Sequence, residues 1–116
     1  MSVVIYHNPR CSKSRETMAL LEEKGITPIV VKYLDETPSV TELKTLFSQL
    51  GFNSVRNMMR TKETEYKEQG LDDSSVTDEQ LFEAMAQTAK LIERPIVVHN
   101  NQAKIGRPPE QVLDIL

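Results

Sequence analysis

The chain has 116 residues, 39% of them hydrophobic and 27% charged, with a formal net charge of -3. That size suits one domain of ordinary globular composition, the charge gives no reason to expect direct nucleic-acid binding, and no apolar run approaches the roughly 20 residues of a membrane helix. One cysteine and two histidines rule out an internal disulfide and a Cys-rich metal site, so no metal is expected.

Val3-Val4-Ile5-Tyr6 is a short β-branched run and reads as a buried strand. His7-Asn8-Pro9-Arg10 breaks it, and a helical pattern runs from about Ser12 to Lys24 with Met18, Leu20 and Leu21 inward. Gly25 follows as the residue that closes a helix. Ile29 to Tyr33 reads as a second strand, and strand-helix-strand at this spacing predicts a parallel pair. Ser39-Val40-Thr41-Glu42 has capping-box spacing and opens a helix with Leu43, Leu46, Phe47 and Leu50 on one face. Asn53 or Ser54 is placed to cap a short helix with Val55, Met58 and Met59, and Lys62 to Gln69 reads as a solvated helical piece. Thr77-Asp78-Glu79-Gln80 opens another helix, carrying Leu81, Phe82 and Met85. Ile96 to His99 and Gln102 to Ile105 read as a hairpin about Asn100-Asn101, since asparagine tolerates positive φ. His99 reads as a surface residue beside that turn, and Met58, Met59 and Met85 as core fillers. Pro108-Pro109-Glu110 starts a last amphipathic helix with Val112, Leu113 and Leu116.

The order β-α-β, then helices, then β-β-α predicts an α/β, thioredoxin-like fold. It is a mixed four-stranded sheet in one domain over residues 1–116, with a helical insertion at about 39–92.

Cys11 falls where the first strand gives way to the first helix. Open α/β sheets place their sites at that edge, and a helix N-terminus favours an anion, so the thiol is expected to ionise readily. Ser14 is placed to turn its hydroxyl toward the sulfur, and His7, Arg10, Lys13 and Arg15 supply nearby charge. The alternative is a small buried hydrophobe, as free cysteines often are; the polar, cationic surroundings weigh against it. Arg94 and Arg107 bracket the hairpin, whose ends must lie beside the first strand, and guanidinium forks suit tetrahedral oxyanions. Arg60 follows Met58-Met59 near the end of a short helix. The Arg94–Pro95 bond, just before a strand, is a candidate cis bond facing the cysteine.

Tyr6-His7-Asn8-Pro9-Arg10-Cys11, Val55 to Arg60, Glu93 to Val98 and Arg107-Pro108-Pro109-Glu110 together resemble the glutaredoxin-coupled arsenate reductase family, the ArsC type, over essentially the whole chain. The likeness is closest to its short YfgD-like members. The resemblance implies that Cys11 is the nucleophile, that His7 favours its thiolate, and that Arg60, Arg94 and Arg107 surround the oxyanion. It further implies arsenate as substrate, glutathione as co-substrate and glutaredoxin as partner, with no bound cofactor. A cytoplasmic monomer is expected.

Spacing excludes two other thiol frameworks. The phosphatase-like reductases need C-x5-R, but Thr17 stands where that arginine would be; dithiol oxidoreductases need C-x-x-C, but Ser14 holds the second position. An Spx-like regulator that binds RNA polymerase shares the cysteine position and the Arg-Pro-Ile segment, yet Ser14, Arg60 and Arg107 weigh toward an enzyme. A monothiol glutathione-dependent reductase with a substrate other than arsenate is the remaining alternative.

Overall fold

The computed structural model describes residues 2–116. They form two compact units, one made of the chain up to Glu36 together with Arg94–Leu116, the other of Thr37–Glu93.

The first unit contains β1 (Val4–Tyr6), α1 (Ser12–Glu23), β2 (Ile29–Val31), β3 (Ile96–His99) and β4 (Gln102–Ile105). The sheet order is β2-β1-β3-β4, parallel between β1 and β2 and antiparallel elsewhere, with Ile5 opposite Val30 on one side and Val97 on the other. A helical crossover returns the chain in its original direction, which is why the first pair is parallel. Ile5, Leu21 and Val97 are fully buried and form the core with Val3, Val112 and Ile115.

Local chemistry sets the boundaries of these elements. Gly25 sits at φ 77°. There its N–H donates to the Glu22 carbonyl while Ile26 N–H donates to that of Leu21, the paired closure that a left-handed residue permits. Asn100 and Asn101 take φ of 54° and 62° and close the β3–β4 hairpin. The second strand stops at Val31, short of the expected Tyr33, because Lys32 accepts hydrogen bonds from Asp35 and Glu36 and begins a turn.

Two expectations about inward faces change. On α1 the buried residues are Ser14, Thr17 and Leu21, while Met18 and Leu20 are only partly buried against the core. Burial of the two hydroxyls is tolerable because each is hydrogen-bonded. The last helix is a 3₁₀ helix, Pro109–Ile115, with Pro109, Val112 and Ile115 buried and Leu116 exposed. Three residues per turn puts every third side chain on one face, so Ile115 replaces Leu116 as the inward residue. His99 is also less exposed than a turn residue would be: its Nδ1 lies 2.6 Å from the Ile115 carbonyl, which can only accept, so Nδ1 carries the proton.

The second unit contains α2 (Val40–Leu50), α3 (Thr64–Glu68) and α4 (Asp78–Gln87), with short 3₁₀ turns at Val55–Met58 and Ala89–Leu91. Ser39 with Glu42 and Thr77 with Gln80 form capping boxes at the starts of α2 and α4. The two helices pack together, with Phe47 edge-on to Phe82 at 5.8 Å. Around α3, Tyr66 is buried, and its hydroxyl accepts from Arg56 Nε at 2.9 Å, so this piece is anchored rather than wholly solvated. Arg56 Nη2 also donates to the Leu71 and Asp73 carbonyls, tying the loop after α3 to the turn before it.

Candidate active site

Cys11 is the N-cap of α1, with extended φ/ψ of -93° and 125°, and is 9% exposed. Its own N–H donates to the Asn8 carbonyl and its carbonyl accepts from Arg15, which fixes the loop around it. Burial pushes the thiol pKa up. The Ser14 backbone N–H, the Arg94 charge, the Lys13 backbone N–H and the Arg107 guanidinium together outweigh that, and the net direction is downward. The site therefore favours ionisation of this thiol relative to a free cysteine.

Arg107 is the nearest cation to this sulfur in hydrogen-bonding terms. Its Nη1 lies 3.9 Å from Cys11 Sγ and donates to the Arg94 carbonyl at 3.1 Å. The Arg94–Pro95 peptide is cis, and so is Arg107–Pro108, which sequence reading did not foresee. Gly106 N–H donates to the Pro95 carbonyl at 2.9 Å, joining the two arginine-bearing segments next to the thiol.

His7 and Ser14 form a separate pair beside the sulfur. His7 Nδ1 lies 2.6 Å from Ser14 Oγ, and the same oxygen accepts from Asn8 N–H at 3.0 Å. Ser14 Oγ thus accepts from Asn8 N–H and shares a proton with His7 Nδ1 in a short hydrogen bond. Burial, then the charges of Lys32 and Arg15, hold the imidazole pKa below its ordinary value. The imidazole is thus biased toward its neutral form, and it contacts the thiol loop through the Ser14 hydroxyl. The Ser14 hydroxyl faces His7; the part of Ser14 that favours the thiolate is its backbone N–H.

Lys13 and Arg15 are engaged with other groups. Lys13 pairs with Glu16 at 3.4 Å, and Arg15 donates to the Pro9 carbonyl at 3.1 Å. Arg10 is exposed. Arg60 belongs to the helical unit, where its backbone N–H donates to the Leu91 carbonyl and its guanidinium is ion-paired with Glu63. Glu63 went unnoticed in the sequence, although its spacing of three residues from Arg60 is a usable signal. Among the described residues, no group of three or more His, Cys, Asp or Glu is arranged to hold a metal ion, and no helix is long and apolar enough to cross a membrane.

Residues 6–115 match the ArsC family profile. The chain is 56% identical to an arsenate reductase of Haemophilus influenzae over the full length of both. It is 57% identical to the protein YfgD of Escherichia coli, over 98% of this chain and 96% of that one. Among solved structures, an arsenate reductase from Vibrio cholerae aligns with a TM-score of 0.99 at 68% identity, covering 100% of this chain and 98% of the other.

Proposed function

The chain belongs to the ArsC family, and from that premise we propose that it is a thiol-dependent arsenate reductase with glutathione and glutaredoxin as electron donors. The observation that carries this reading is the Arg107 guanidinium 3.9 Å from a Cys11 sulfur whose pKa is lowered at the start of a helix. A nucleophile and a cation set beside it are what attack on a tetrahedral oxyanion requires.

In the proposed cycle the Cys11 thiolate attacks arsenic(V). A sulfur–arsenic bond forms, an arsenic–oxygen bond breaks, and that oxygen leaves as water after protonation. Arg94 and Arg107 hold the remaining oxygens and balance their charge. Arg60 joins them on the strength of the family resemblance. A glutathione thiol then delivers electrons, arsenic falls to the +3 state, and the oxidised sulfurs are left as a mixed disulfide. A glutaredoxin thiol attacks that disulfide and returns Cys11 to its thiol form, favoured by a low-pKa leaving sulfur. In total, one arsenate and two donor thiols become one arsenite, one disulfide and one water. With a single cysteine in the chain, both donor thiols come from outside it. His7 and Ser14 serve the cycle by holding the loop, and Pro95 and Gly106 by setting the arginine segments. Arsenate-dependent oxidation of NADPH, coupled through glutathione reductase, glutathione and glutaredoxin, tests the proposal.

A further inference from the structure

Thr17 is polar, lies in the second turn of α1, and is fully buried. Its hydroxyl donates to the Lys13 carbonyl at 2.8 Å, one turn back, which satisfies the oxygen and fixes the side-chain rotamer. The face it presents meets Gly106. A Cβ placed on that glycine would lie 2.5 Å from Thr17 Oγ1, 3.3 Å from Thr17 Cγ2 and 2.9 Å from Pro95 Cγ. The backbone just before Arg107 is therefore seated directly on Thr17, and Gly106 has no side chain because none fits between them. Thr17 is thus bonded to the turn whose Lys13 and Ser14 amides serve the sulfur, and packed against the residue that precedes the sulfur's nearest guanidinium.

We propose that Thr17 is a positioning residue that sets the separation between the Arg107 guanidinium and the Cys11 sulfur. It acts as a spacer of fixed height between α1 and the end of β4. Without the spacer Gly106 loses its seat and Arg107 is no longer held at the 3.9 Å contact; enlarging Gly106 pushes the segment off that contact. A residue serving only the core would change stability and leave the sulfur's ionisation unchanged.

The test reads the pH profile of Cys11 alkylation by iodoacetamide in the full chain. Thr17→Ala is expected to move the profile to higher pH by about half a unit, cutting the alkylation rate at pH values below the midpoint about threefold. Thr17→Ser, which keeps Oγ1, is expected to stay close to wild type. Gly106→Ala is expected to move the profile in the same direction as Thr17→Ala, and it probes the same contact should Thr17→Ala fail to fold. In an Arg107→Gln background Thr17→Ala should add nothing, because the two changes act through one guanidinium. Wild-type profiles in both Thr17→Ala and Gly106→Ala would overturn the proposal. So would a Thr17→Ala shift of the same size with Arg107 replaced, which would place the effect in the helix amides instead.

Discussion

At the scale of single residues, the sulfur is governed by a contest between burial and four groups that favour its charge. A thiol whose folded pKa is depressed gains native stability above its unfolded pKa, and that gain disappears as pH falls through the folded value. Wild type is therefore expected to gain stability over Cys11→Ser on going from neutral pH toward pH 9, with no such gain at pH 5. Urea unfolding of both proteins across that range checks it. In the same samples the iodoacetamide profile should have its midpoint below the ordinary cysteine value of about 8.5. His7 is depressed too, for the opposite charge type. Its neutral form is favoured in the fold, so stability is present above the ordinary histidine value of about 6.5 and declines as the pH drops below it. An NMR titration should put the His7 midpoint below 6.5, and Ser14→Ala should alter it by removing the bond to Nδ1. Sequence reading singled out Cys11, His7 and Ser14 by their placement before and within the first turn of α1, and His7 and Ser14 do pair beside the sulfur. The Ser14 hydroxyl was less legible, because spacing alone does not say which of two close neighbours it faces.

At the scale of elements, period and caps carried most of the information. The two capping boxes and the Asn100-Asn101 turn formed where their side-chain chemistry required. Pattern reading failed where an inward face was not apolar, at Ser14 and Thr17, and where the period was not that of an α-helix, in Pro109–Ile115. Buried hydroxyls are invisible to a hydrophobicity pattern, since their burial depends on a distant partner or a carbonyl one turn back. The 3₁₀ geometry gives a direct test. Ile115→Ala is expected to cost about 2–4 kcal/mol, the usual range for emptying a core site, whereas Leu116→Ala should stay within about 0.5 kcal/mol. Thermal or urea unfolding of the two variants decides between the periods; a larger loss at Leu116 would contradict the 3₁₀ register.

At the scale of the molecule, an acidic chain sets two arginine charges beside its one cysteine. Lys13, Arg15, Lys44 and Lys90 interact with carboxylates or with the Pro9 carbonyl, while Arg94 and Arg107 favour the charge on the sulfur, Arg107 also donating to the Arg94 carbonyl. Both arginines come from segments far along the chain from Cys11, so their convergence was legible only through the hairpin topology. The order of elements and the family resemblance gave that topology; the exact partner of Arg60 came from side-chain geometry within the helical unit. This single thiol is proposed to perform oxyanion reduction with externally supplied thiols. The most direct measurement is arsenate-dependent NADPH oxidation in the presence of glutathione reductase, glutathione and glutaredoxin, comparing wild type with Cys11→Ser at equal folded concentration. The account predicts turnover that needs arsenate, glutathione and glutaredoxin together and falls to background in Cys11→Ser, because an un-ionised hydroxyl neither attacks arsenic nor forms a disulfide. Equal turnover in the two proteins, or none in wild type with all components present, would contradict it.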